Sequence, residues 1–182
     1  MFCTTEELEA GLSSITQSPK DAGVVELIVR RPEVDEREEV REANLDPAAG
    51  LVGDNWLARG NAKTSDGLAH PEMQLNLMNA RAIALIAQSR ARWKLAGDQF
   101  FVDFDLSKEN LPPGTLLSIG TAVIEVTAEP HLGCKKFMDR FGRDAAIFVN
   151  SDKGKQLNLR GVNAKVITAG VVRVGDSIRK QA

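Results

Sequence analysis

The chain has 182 residues, 43% hydrophobic and 26% charged, with seven scattered prolines, a composition that calls for one packed globular domain and excludes general disorder and collagen-like repeats. Lys and Arg number 23 against 25 Asp and Glu, so the formal charge is −2 and the pI is near 5.8, which argues against a protein that mainly coats nucleic acid or acidic membranes. No apolar run approaches the ~18 residues of a membrane span, and the opening Met1–Glu7 is acidic, so a cytoplasmic protein without membrane or nucleic-acid partners is expected. Two cysteines, Cys3 and Cys134, stand far apart with no CxxC pairing, which excludes a disulfide framework and a four-thiolate zinc site.

In chain order, Thr4 followed by Glu7 fits a capping box, and Leu8, Leu12 and Ile15 fall at helical spacing, which predicts an amphipathic helix over 5–16 within an N-terminal segment 1–20. Val24–Val29 is a β-branched run closed by Pro32 and reads as a strand. Glu33–Glu42 is dense in charge and reads as a solvated turn or edge strand, with a protein-docking face as the alternative. Pro47–Gly53 is turn chemistry leading into Asp54, and 61–71 is rich in loop-forming residues. Met73, Leu75 and Leu77 alternate as a strand that meets Asn79, a helix cap. Ala80–Trp93 is rich in Ala, Leu, Ile and Arg with no internal Gly or Pro and reads as the strongest helix of the chain, stopped by Gly97. Phe100, Val102 and Phe104 alternate next, and Leu116–Ile119 with Ala122–Thr127 reads as a hairpin. Ala164–Val174 is a β-branched segment interrupted by Gly170. Six or seven strands, often consecutive, and three helices favour a β-barrel with attached helices over a doubly wound sheet.

The chemically richest segment is 129–143, Glu-Pro-His-Leu-Gly-Cys-Lys-Lys-Phe-Met-Asp-Arg-Phe-Gly-Arg. A helix beginning near Lys135 puts Cys134 at its N-terminus, where free backbone N–H groups favour a negative charge. Lys135, Lys136 and Arg140 add cations that favour a thiolate, and the same N-terminus welcomes an oxyanion. A cysteine here is compatible with a reactive centre or with a small buried hydrophobe. His131-x-x-Cys134, with His70 as a third ligand, is the pattern of a zinc-dependent enzyme, since three soft or borderline ligands leave a position open for catalysis. A non-catalytic binding module with a structural cysteine is the other alternative. Asp54 and Asp176 follow glycines in turns, where aspartates usually bond their own backbone; Asp54 is the better acid–base candidate of the two. Trp56 and Trp93 are expected to pack, and Cys3 to sit in a frayed terminus.

The ordered set of motifs resembles the MOSC domain, named after the C-terminal region of molybdenum cofactor sulfurase. Gly50-Leu51-Val52-Gly53-Asp54, Gln74-Leu75-Asn76-Leu77 and the 116–127 hairpin are similar to the family's first half, and Cys134 falls where the family's cysteine belongs. Lys136-Phe137, Arg140-Phe141-Gly142, Leu159-Arg160-Gly161, Ala164-Lys165-Val166 and Gly170–Asp176 resemble its closing half, so the likeness covers about 23–179 of a single domain spanning 1–182. It implies a mixed α/β, strand-rich MOSC-type β-barrel with flanking helices. It further implies that Cys134 carries a persulfide or binds the molybdenum of a pterin cofactor, as catalytic residue and metal ligand. Lys135, Lys136, Arg140 and Arg160 would be the cationic donors to that cofactor, with Asp54 at the cleft, unless they form only a solvated basic face. The family also carries an association with pyridoxal phosphate binding. Implied partners are the pterin cofactor or a sulfur donor protein, and a redox partner, because the larger relatives' N-terminal barrel extension and electron-carrier modules are expected to be missing. One departure stands out: where many members have consecutive arginines and an asparagine, this chain reads Ala96-Gly97-Asp98-Gln99 and continues to Asp103. Asp98 and Asp103 would repel a phosphate unless turned away.

Overall fold

The computed structural model describes residues 2–62 and 64–181; Met1 and Ala182, at the ends of the expected domain, and Lys63, within the expected loop, lie outside these. Helix α1 (Thr5–Thr16) starts on the capping box, with the Glu7 amide donating to Thr4 Oγ1 at 3.3 Å and the Thr4 amide to Glu7 Oε2 at 2.8 Å. Strands β1 (Ala22–Arg30), β2 (Glu38–Val40), β3 (Glu42–Asp46) and β4 (Gly50–Leu51) follow, then a short helix α2 (Trp56–Arg59). β5 (Leu75–Asn79) leads into α3 (Ala80–Ala87), capped as expected by Asn79, whose Oδ1 accepts from the Ala82 amide at 3.0 Å. The second half comprises β6 (Phe100–Asp103), the hairpin β7 (Leu116–Ile119) and β8 (Ala122–Val126), and helices α4 (Lys135–Phe141), α5 (Arg143–Asn150) and α6 (Asp152–Gln156). It closes with β9 (Val162–Thr168), β10 (Gly170–Arg173) and β11 (Ser177–Lys180).

Strands β11, β7, β8, β9, β5, β6 and β1 pair in that order and β1 pairs back to β11, so seven strands close into a barrel. All these pairings are antiparallel except β5–β6, whose crossover is α3 and the turn after it. β2 hangs from the far end of β1 as the edge strand expected in the charged 33–42 segment. Its carboxylates are spent on ion pairs, Arg30–Glu38 at 2.7 Å and Lys94–Glu39 at 3.2 Å, which favours the solvated edge over a docking face. β10, β3 and β4 form a separate small sheet.

The barrel wall is buried on both faces. Val25, Ile28, Leu75, Leu77, Phe100 and Val102 fill the interior, while Leu27, Val29, Met78 and Phe101 face a second core shared with Leu8, Ile83, Trp93, Phe137 and Phe141 of the helices. That explains why β5 is buried at every position, its two asparagines included, instead of alternating between covered and exposed residues. No helix among the described residues is long and apolar enough to cross a membrane.

Three expectations change. The long 80–93 helix stops at Ala87: Gln88 takes a left-handed φ of 59° and Arg90–Ala96 continues as a 3₁₀ segment ending, as expected, at Gly97. Tertiary contacts override helix propensity there, because Gln88 reaches Cys3 Sγ, Arg92 donates to the Arg140 carbonyl at 2.6 Å, and Trp93 packs on Phe101. The 164–174 run is two strands in two sheets, β9 in the barrel and β10 in the small sheet. Cys3 is not frayed but buried at 5% exposure, and burial pushes its thiol pKa up.

Candidate functional site

The chain leaves the barrel at β8, turns through 127–134 and enters α4 with Cys134 as the residue capping it. Cys134 is exposed, and its sulfur makes no hydrogen bond to any described residue. Its placement is set one residue earlier, where Asn150 at the end of α5 holds both backbone groups of Gly133: Oδ1 accepts from the amide and Nδ2 donates to the carbonyl, each at 2.9 Å. A Cβ at Gly133 would stand 2.9 Å from Val149 Cγ2, so a larger residue would push the loop off this clamp. Cys134 lies in an open groove between α4 and α5 whose side chains include Lys135, Met138, Arg143 and Ile147. The groove has two cations and no carboxylate in its lining, a setting that favours a bound anion.

Of the basic residues singled out in the sequence, Lys135 alone shares this groove. Lys136 and Arg140 turn to another flank of α4, where both reach Asp35 Oδ1, at 3.0 and 3.1 Å, and Arg140 also donates to the Leu95 carbonyl at 2.8 Å. Arg37 packs near them above Gly97 with its Nε buried and unpaired among the described residues, so three cations gather about Asp35 on that flank. Burial, and then Arg140 and Arg31, lower the Arg37 pKa.

Arg160 belongs to neither surface. It is 6% exposed; its Nη1 donates to both Asp98 carboxylate oxygens, at 3.0 and 2.7 Å, its Nη2 donates to the Ala96 carbonyl at 2.9 Å, and the guanidinium lies 4.9 Å over the Phe137 ring. The charge is therefore cancelled inside the protein, which corrects the expectation of a free or solvated donor there. The following Gly161 is required: its φ is 114° and a Cβ would come within 2.2 Å of the Leu77 carbonyl.

Asp98, expected to repel a phosphate, is sealed and neutralised. Burial alone would raise its pKa, but Arg160 and His131 outweigh that and hold it down at about 2. Asp103 is likewise paired, with Arg81 at 2.8 Å. Asp54 is also structural, as turn aspartates usually are. Its side chain is fully covered, receives Arg31 Nε and Nη2 at 2.8 and 2.7 Å, and accepts the amides of Arg31 and Trp56. Asp176 accepts from the Arg173 amide within its own turn. Trp56 and Trp93 are both buried.

A buried chain of polar side chains ties these elements together. Arg31 donates from Nη1 to Asn76 Oδ1 at 3.2 Å and to the Gly97 carbonyl at 2.9 Å; Asn76 Nδ2 donates to Asn163 Oδ1 at 2.6 Å; Asn163 Nδ2 donates to the Glu129 carbonyl at 3.0 Å. The turn carrying Asp54 is thus linked to the loop carrying Cys134. Sequence reading missed Arg31, Asn76, Asn163 and Asp98 as positioning residues. The available signal was polar residues inside apolar strands, such as Asn76 between Leu75 and Leu77, which a buried strand tolerates only when they are bonded.

His131 points inward, away from Cys134's groove, with Nε2 2.9 Å from Asp98 Oδ1. Burial and Arg160 lower its pKa against the pull of Asp98, favouring the neutral ring. His70 instead sits 3.9 Å from Glu129 and accepts the Glu72 amide on Nδ1. Among the described residues no three His, Cys, Asp or Glu side chains are grouped to hold a metal, so the His70–His131–Cys134 zinc set is not assembled.

Comparison with known proteins agrees with the fold. No curated protein matches the sequence. The YUAD protein from Bacillus subtilis is similar in structure with a TM-score of 0.59 at 15% identity, over 86% of this chain and 94% of that one. YiiM from Escherichia coli gives 0.55 at 19% identity over 87% and 70%, and YiiM from Geobacillus stearothermophilus 0.55 at 13% over 88% and 73%. The family model described as MOSC domain matches residues 64–179, which runs from before β5 into β11 and includes the Cys134 loop, and the chain belongs to the MOSC domain family.

Proposed function

We propose that this protein handles the molybdenum cofactor or its sulfur, with Cys134 as thiolate ligand or persulfide carrier. The observation that carries this reading is the exposed, unbonded Cys134 at the start of α4, held out by the Asn150 clamp and flanked by Lys135 and Arg143. A buried thiol would suit the non-catalytic module instead.

The donor set fits the cofactor in kind: one soft thiolate for molybdenum, and cations for an anionic tail. Cys134 would hold the metal, and Lys135 and Arg143 the tail, with the Lys136, Arg140 and Arg37 flank as a second cationic surface. When bound, the group supplies two-electron redox chemistry. The protein's own part is to hold the sulfur exposed beside the free N–H groups of the first turn of α4 and the two groove cations, where an anionic ligand would be met by positive charge.

As a sulfur carrier, the Cys134 thiolate attacks the terminal sulfur of a donor persulfide. A new S–S bond forms on Cys134, the donor's S–S bond breaks, and the donor leaves as its thiolate, with no external oxidant. A sulfur donor protein or a redox partner would dock on this groove.

The test compares wild type and Cys134→Ala produced in cofactor-competent cells with molybdate, measuring bound molybdenum and protein-bound sulfane sulfur. Loss of either in the variant supports the reading and tells ligand from carrier. Equal molybdenum and equal sulfane sulfur in both proteins overturn it.

A further inference from the structure

On the other side of the 127–134 loop lies a cavity of about 400 Å³, within the range of small-molecule sites and separate from the Cys134 groove. Its walls are mainly apolar, with Leu111, Val126, Leu132, Val149 and Val162. Most of its polar groups are already used. Thr127 Oγ1 donates to the Glu72 carbonyl at 2.6 Å, Asn158 Nδ2 donates to the Leu106 carbonyl at 2.8 Å, and Arg160 is neutralised by Asp98.

Two kinds of polar group remain. Lys108 and Lys155 line the cavity and form no ion pair with any described residue; the Lys108 amide bonds the Gln156 carbonyl at 2.9 Å, which keeps the two lysine-bearing elements together. The other group is His131. Asp98 is ionised and can only accept, so the proton between it and His131 sits on Nε2, and Nδ1 presents its lone pair. No described residue bonds Nδ1, and it is not among the buried unpaired atoms, so it is left accessible on a residue that lines the cavity.

We propose that this cavity is a second binding site, for a small organic anion with an apolar body, its acid group taken by Lys108 and Lys155 and an O–H or N–H donated to His131 Nδ1. Glu129, the carboxylate in the lining, is directed to His70 at 3.9 Å and leaves the lysine pair as the dominant charge. The Asp98–His131 pair positions the acceptor and matches a ligand donor, where a protonated ring would repel it. This site is independent of Cys134 chemistry.

The probe is 8-anilinonaphthalene-1-sulfonate, which combines a sulfonate, an aromatic body and one N–H. Native protein should show a single saturable fluorescent site, and ¹⁵N spectra of the two-histidine protein should show one ring in the Nε2–H form, shifting as the probe binds. Lys108→Glu with Lys155→Glu, both at exposed positions, should weaken binding about tenfold or more. Ile147→Arg, in the Cys134 groove, should leave the Kd within about twofold if far-UV spectra match wild type. Absence of saturable binding, an unchanged Kd in the lysine double variant, or loss of binding in Ile147→Arg each overturns the proposal.

Discussion

The two sides of one loop make opposite use of polar chemistry. Inward, His131, Asp98 and Arg160 are packed and bonded to one another, with Arg160 and His131 together holding Asp98 ionised. Three residues further on, Cys134 faces solvent with no hydrogen bond from its sulfur to any described residue. A buried ion cluster persists only when every charge is matched, whereas a nucleophile or ligand must keep its reactive atom unmatched. The inner side therefore sets the structure of the loop, and the outer side keeps its chemistry available.

The sharpest way to break this contrast is Asp98→Ala, which leaves Arg160 buried without its counterion. A loss of about 3–5 kcal/mol is expected in denaturant unfolding. A loss under about 1 kcal/mol would mean that the inner cluster does not hold the loop. Acid titration probes the same group. Asp98 is held at about 2 in the folded chain, below the ordinary carboxylate value, so its stabilisation is complete above about pH 4 and lost as pH falls towards 2. His131 works in the same direction from higher pH, since its lowered pKa lets the unfolded chain take up protons first below about pH 6.5. Unfolding followed against pH should show Asp98→Asn losing the low-pH part of this dependence.

Asn150→Ala removes the clamp on Gly133 and should cost about 1–3 kcal/mol while raising amide exchange across 131–134. Unchanged exchange would assign the loop's order to the inner cluster alone. The smallest stability effect belongs to the outer side: Cys134→Ala should stay within about 0.5 kcal/mol of wild type. In a thiol-reagent assay the native protein should show one fast thiol, Cys134, and react at Cys3 only on unfolding, because Cys3 is buried and donates to the Leu85 carbonyl at 3.2 Å. Two fast thiols would show that the α1 face opens readily.

Local rules carried far in this chain. The Thr4–Glu7 capping box, the Asn79 cap, the Gly97 stop, the 116–126 hairpin and the start of α4 at Lys135 were all legible because each depends on residues a few positions apart. The break at Gln88 was not, since it is made by Cys3, Arg140 and Phe101, which are distant in sequence. Helices α5 and α6 were also missed; they are short, and α5 buries Ala145, Phe148 and Val149 against partners that no local pattern announces.

By itself the sequence determined the fold class, the family resemblance and the position of Cys134 at a helix start, because capping, strand propensity and motif order are local or linear properties. Tertiary structure alone decided which charges are free. Lys135, Lys136, Arg140 and Arg160 look alike in sequence, yet one stays by the thiol, two turn to Asp35, and one is consumed inside by Asp98. The reason is physical: the availability of a charge depends on its counterion and its burial, and both are supplied by residues brought near only when the barrel closes.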